Sequence, residues 1–114
     1  MAVNPKDVIK FYHAHVYFDA GTTEPARELR SVIEANFEIQ MGRFHEKPVG
    51  PHPKWSYQVA FGLELFGSLV PWLSVNRRSL TVFVHACTGD HIMDHTEYAC
   101  WLGESVPLDL DALR

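Results

Sequence analysis

Several things are scarce in this chain, and each scarcity removes a class of function. There are two cysteines, Cys87 and Cys100, in 114 residues, too few for a disulfide framework. Both lie in apolar surroundings and read as reduced, buried thiols. No run of eighteen apolar residues exists, so no membrane span is expected. The first ten residues are polar and carry Pro5, unlike a secretory leader. A cytoplasmic location is the expectation. Basic residues are few and scattered apart from Arg77-Arg78, and the net charge is −4, which argues against nucleic acid as a partner. Repeats, a phosphate loop, a dinucleotide fingerprint and a G-x-S-x-G elbow are all missing.

What remains is an ordinary globular composition, 46% apolar and 21% charged, with length for one domain. Residues 1–10 read as an N-terminal arm and residues 11–114 as a single domain. Phe11 to Phe18 is aromatic and β-branched, hence a strand. Thr22 or Thr23 can cap a helix in which Ala26, Leu29, Val32 and Ile33 recur at helical spacing. Phe37–Phe44 reads as a second strand, interrupted by Gly42, and Trp55–Phe61 as a third. Leu63–Asn76 reads as a helix with Pro71 inside it, which predicts a kink near Gly67. Ser79–Ala86 reads as a fourth strand. Asp90 can cap a short C-terminal helix ending near Gly103. The order β-α-β-β-α-β predicts an α+β, ferredoxin-like sandwich with that helix appended. In this reading strand one lies parallel to strand three and antiparallel to strand four.

The chain is rich in one residue type. Seven of its 114 residues are histidine. Side chains alternate along a strand, so Ala14, Val16 and Phe18 suit a helix-covered face while His13, His15 and Tyr17 share the other. Thr81, Phe83 and His85 share that open face on the neighbouring strand. His13, His15 and His85 should therefore meet, and three imidazoles can ligate one metal ion. The loop carrying His52 and the turn leading to His91 and His95 are expected at the same sheet edge, which gathers all seven histidines at one end. His45 has the wrong parity unless Gly42 forms a bulge. Arg43 suits a carboxylate by a two-toothed contact. Aromatic residues near the histidines suit a flat ligand. A histidine near neutrality can move protons.

Four segments together carry a resemblance. They are His13-Ala14-His15-Val16-Tyr17-Phe18, Gly42-Arg43-Phe44-His45, Gly50-Pro51-His52-Pro53, and Val84-His85 followed by Thr88-Gly89-Asp90 and by Asp94-His95-Thr96 through Trp101-Leu102-Gly103. In this order they resemble the DOPA 4,5-dioxygenase family of fungi and bacteria, from about Phe11 to Leu110. His91 is outside the pattern. The resemblance implies extradiol cleavage of a catechol, L-DOPA or a relative, by O₂ at a non-haem metal. Fe(II) is implied, with Zn or another divalent ion able to stand in. Taken with the strand parity, it assigns His15, His52 and His85 to the metal, His13 and His95 to catalysis, and Tyr17, Arg43 and His45 to substrate. Glu46 or Asp94 is a candidate carboxylate ligand. Two rival readings share the residues: a closed, non-catalytic metal or ligand module, and a cofactor-free oxygenase or interaction domain. Phe11, Tyr17 and Phe83 on an open sheet face predict a homodimer.

Overall fold

The structure, a computed structural model, describes residues 2–114. A short helix α1 (Pro5–Val8) precedes β1 (Phe11–Phe18). Then follow α2 (Thr23–Asn36), a two-residue β2 (Gln40–Met41), β3 (Trp55–Phe61), a 3-10 turn (Leu63–Leu65) and α3 (Phe66–Asn76). β4 (Val82–Cys87), α4 (His91–Asp94), β5 (Ala99–Leu102) and a last 3-10 turn (Leu110–Leu113) complete the chain. None of the described helices is long and apolar enough to cross a membrane.

The sheet runs β2-β3-β1-β4-β5, the ferredoxin-like order with one strand added. The alternation in β1 and β4 sorts the two faces. Ala14, Val16, Phe18, Val82 and Val84 pack with Leu29 and Ile33 of α2 and Leu69 and Leu73 of α3 in one buried core. Pro71 lies inside α3, which continues through it to Asn76.

Four expectations need correction. First, β1 and β3 are neighbours but antiparallel, with Tyr12 opposite Phe61 and Phe18 opposite Trp55. Right-handed crossovers join parallel strands, and here those are β1 with β2 and β3 with β4, each pair separated by one strand. Second, β2 is far shorter than Phe37–Phe44. Gly42 still bonds Gln58 through its backbone (2.7 Å), but beyond it the chain turns so that Phe44 stacks on Phe18 at 4.3 Å. Third, the C-terminal helix stops at Asp94. Tyr98 N–H turns back to the Met93 carbonyl, and the Tyr98 carbonyl accepts from Ala86 (2.9 and 3.0 Å). The following residues then form β5, with Trp101 opposite Phe83, which satisfies the outer edge of β4. Fourth, Cys100 is exposed and Cys87 only half-buried; both are free.

The corrected strand directions also change how the loops reach the histidines. The loop 42–54 leaves from the end where Phe18 meets Trp55. The turn after β4 leaves from the opposite end, where Phe11 meets Cys87. Two loops from opposite ends therefore fold over the same sheet face, in place of an assembly at one edge.

Candidate metal and catalytic site

That face carries a cavity of about 430 Å³ whose lining includes all seven histidines. The volume lies in the range of small-molecule sites. β1 and β4 build its floor. His13 and His85 are directly opposite in the ladder, and their rings lie 5.2 Å apart. His15, one diagonal step away, brings its Nε2 to 3.0 Å from His85 Nε2. Bonds of about 2.1 Å to one ion, at a right angle, separate two nitrogens by about 3.0 Å, so this pair fits two adjacent positions on a metal.

Cys87, two residues beyond His85 and on the same face, was not singled out in the sequence. The ligand atoms of His13, His85 and Cys87 lie within 4.8 Å of one another. His85 thus belongs both to the pair with His15 and to this group of three. Imidazole and thiolate are a donor set suited to a first-row transition metal. The H-x-C repeat on β4 was the overlooked signal.

The loops add the remaining histidines. His52 is buried, and its Nδ1 lies 2.6 Å from the Tyr17 hydroxyl. Its ring is 4.0 Å from that of His15. His52 is held there because the loop closes on itself, His52 N–H to the Val49 carbonyl, and because Pro51 accepts from Asp109 of the C-terminal segment (3.1 and 2.9 Å). His95 follows α4, and its ring lies 4.1 Å from that of His85. Its Nδ1 donates to the His91 carbonyl at 2.7 Å. His85 Nδ1 likewise donates to the Ala86 carbonyl at 2.8 Å. In both residues this leaves Nε2 unprotonated when the ring is neutral; that of His85 accepts from His15 Nε2–H at 3.0 Å.

Burial dominates the electrostatics. It holds His15 well below the usual imidazole range, assisted by His52 and His85. It holds His52 down at about 4 and His85 at about 3, with further help from His95 and His13 in each case. His13 is lowered for the same first reason and then by His95. Burial, then Asp94, pushes the Cys87 thiol up to about 12. Without metal, His13, His15, His52, His85 and Cys87 are therefore neutral at physiological pH, and a bound cation would displace the thiol proton.

The other candidates divide. His45 lines the cavity, placed there by a backbone bridge to Ser56. Arg43 and Glu46 are exposed and outside the lining. Asp94 lines the cavity, yet its two oxygens accept from Thr88 N–H (2.9 Å) and Thr88 Oγ1 (2.6 Å), so it shapes the turn after β4. Tyr17 does not line the cavity; it is buried behind His52. Lys10, just before β1, also lines it; its N–H bonds the Cys87 carbonyl at 2.9 Å. Tyr17 and Phe83 are buried by the chain's own loops and only Phe11 stays exposed. Two of the three aromatics behind the homodimer expectation thus lie inside the chain, and Phe11 remains on the surface.

Comparison with known proteins agrees with this geometry. A crystal structure from Nostoc punctiforme, described as a proposed dioxygenase, is 44% identical with a TM-score of 0.95, covering 99% of this chain and 97% of its own. A DOPA 4,5-dioxygenase from Amanita muscaria is 34% identical over 90% of this chain and 49% of its own length. An uncharacterised 21.2 kDa protein from Botryotinia fuckeliana is 38% identical over 90% of this chain and 63% of its own length. The chain thus spans about half to three-fifths of these two fungal relatives. With the family profile matching residues 12–112, the chain belongs to the Dopa 4,5-dioxygenase family.

Proposed function

We propose that this chain is a metal-dependent extradiol dioxygenase that opens a catechol ring with O₂. The observation that carries the reading is the 3.0 Å approach of His15 and His85 on the floor of an open, histidine-lined cavity. A purely structural metal site closes its coordination within protein, whereas a catalytic one keeps positions free for substrate. His85 is the central ligand, with His15 beside it and His13 and Cys87 within reach. Fe(II) suits the family's chemistry. Such an ion, held by His85 and His15, would supply a redox-active Lewis acid for catechol and O₂.

The chain's own residues do the remaining work. His95, with Nδ1 tied to a carbonyl, presents a bare Nε2 that can take a catechol proton and later return it. The cavity walls, Phe11, Val49 and Pro51 among them, suit a planar ring. Lys10 takes the role first given to Arg43, that of a cation for a substrate carboxylate. The overall change breaks one ring carbon–carbon bond and places one atom of O₂ on each freed carbon. A catechol with an amino-acid side chain is the first substrate to test, given the description of the Amanita relative.

The test is direct. Metal-free protein is loaded anaerobically with Fe(II), mixed with L-DOPA, and then exposed to air. Consumption of one O₂ per L-DOPA with a yellow ring-opened product is expected. Bound iron without turnover would point to the non-catalytic module, and quinone with hydrogen peroxide as the sole products would overturn ring cleavage.

A further inference from the structure

The cavity histidines differ in how their second nitrogen is used. His85 and His95 each face a backbone carbonyl with Nδ1 (2.8 and 2.7 Å). A carbonyl only accepts, so both rings carry their proton on Nδ1 and leave Nε2 unprotonated. This is the arrangement common among metal-ligating and proton-accepting histidines. His52 is different. Its Nδ1 faces the phenol of Tyr17 at 2.6 Å. Tyr17 is 2% exposed, and His52 Nδ1 is the hydrogen-bond partner its hydroxyl has among the described residues.

A buried phenol must place its proton on an acceptor. Tyr17 therefore donates, and His52 Nδ1 accepts. A neutral imidazole has one N–H, so the proton of His52 resides on Nε2. No hydrogen bond among the described residues uses that Nε2, and His52 lines the cavity.

We infer that the Tyr17–His52 pair makes His52 a hydrogen-bond donor to an oxygen of the substrate, not a metal ligand. Tyr17 is its positioning residue. The reaction reading above supplies the substrate, and on that reading the cavity holds two complementary groups. His95 presents a lone pair that accepts a proton, and His52 presents an N–H that steadies negative charge on oxygen. The Tyr17 O–H stabilises this tautomer because the reversed one would leave the buried phenol proton without an acceptor. The position also suits the fold. His52 sits on a loop that closes over the floor, whereas His15 and His85 are fixed in the central strands.

The test begins with the metal-free protein. Nitrogen-15 NMR is expected to show His52 protonated at Nε2 and unprotonated at Nδ1, and Tyr17→Phe to shift it toward a mixture. Iron stoichiometry should be unchanged in Tyr17→Phe, His52→Gln and His52→Leu. In turnover, His52→Gln, which keeps an N–H in the cavity, should stay within about tenfold of the parent. His52→Leu should lose about 10²- to 10⁴-fold in kcat, the usual span for a proton-handling group. A bare Nε2 on His52 in the metal-free protein, or iron lost in His52→Gln, would overturn the inference. If the parent itself opens no catechol, the reaction reading fails, while the tautomer and the iron count still decide whether His52 is a donor or a ligand.

Discussion

In the absence of metal, lowering the pH should unfold this domain sooner than its size suggests. His52 and His85 are 7% and 3% exposed, and burial holds them at about 4 and about 3 against an ordinary 6.5. The unfolded chain binds protons at these residues below pH 6.5; the folded chain refuses them until far lower. Stability linked to them is thus fully present above pH 6.5 and is lost as pH falls toward the folded values. One pH unit of this difference is worth about 1.4 kcal/mol per group. Over the 1.5 units from pH 6.5 to 5, the two histidines together remove about 4 kcal/mol. His15, also held well below its usual range, deepens the loss. A domain of this kind has about 5–15 kcal/mol in total. The assay is urea denaturation of chelator-treated protein at pH 7, 6 and 5, with His85→Gln as a control expected to show a shallower pH dependence. A midpoint that stays constant from pH 7 to 5 would refute the reasoning.

Three further outcomes follow from the site. His85→Ala should lose bound iron while Cys87→Ser weakens it by about 10- to 100-fold, measured by metal analysis and competitive titration; full iron in His85→Ala would remove His85 from the metal. His95→Ala should keep its iron yet turn over catechol about 10²- to 10⁴-fold more slowly, and an unchanged rate would return His95 to a packing role. Lys10→Gln should raise KM for catechols bearing a carboxylate by about tenfold and leave unsubstituted catechol unaffected; equal changes for both substrates would exclude charge recognition by Lys10.

The parity argument made the floor of the site legible. Because Ala14, Val16 and Phe18 had to enter the core, His13, His15 and Tyr17 had to share the other face, and the same logic placed His85. Strand direction was harder. The crossover rule fixes which strands are parallel but not that another strand lies between them, so β1 and β3 were paired with the wrong sense. That error made a shared edge out of what is a shared face. β5 was hidden because Asp90 does cap a helix, its side chain accepting from Met93 N–H at 3.1 Å. The helix end depends on Ala86 bonding the Tyr98 carbonyl, a contact between distant residues. Cys87 escaped notice because a lone thiol reads as core until its parity with His85 is counted. Lys10 was not legible because strand parity puts it with Tyr12, opposite the histidines, and only the folded chain brings it to the cavity rim.

The division between floor and walls has a physical consequence for how the site can change. His13, His15, His85 and Cys87 project from β1 and β4, and β1 is hydrogen-bonded along both edges. Moving the three histidines requires distorting the middle of a five-stranded sheet, so the proposed metal-binding geometry is largely pre-organised. His52 and His95 depend on far fewer contacts. His52 relies on the Tyr17 hydroxyl and on the backbone bonds of its loop. His95 relies on the His91 carbonyl and on the turn that Asp94 clamps through Thr88. Loop substitutions can therefore reshape the cavity wall while the floor histidines keep their places. Arg43 is placed outside the cavity by this same loop, whereas Lys10 enters it from the strand side. Specificity for a charged side chain on the catechol would then be set by the residue anchored to the sheet, and the loop would tune the fit of the ring and the placement of its protons.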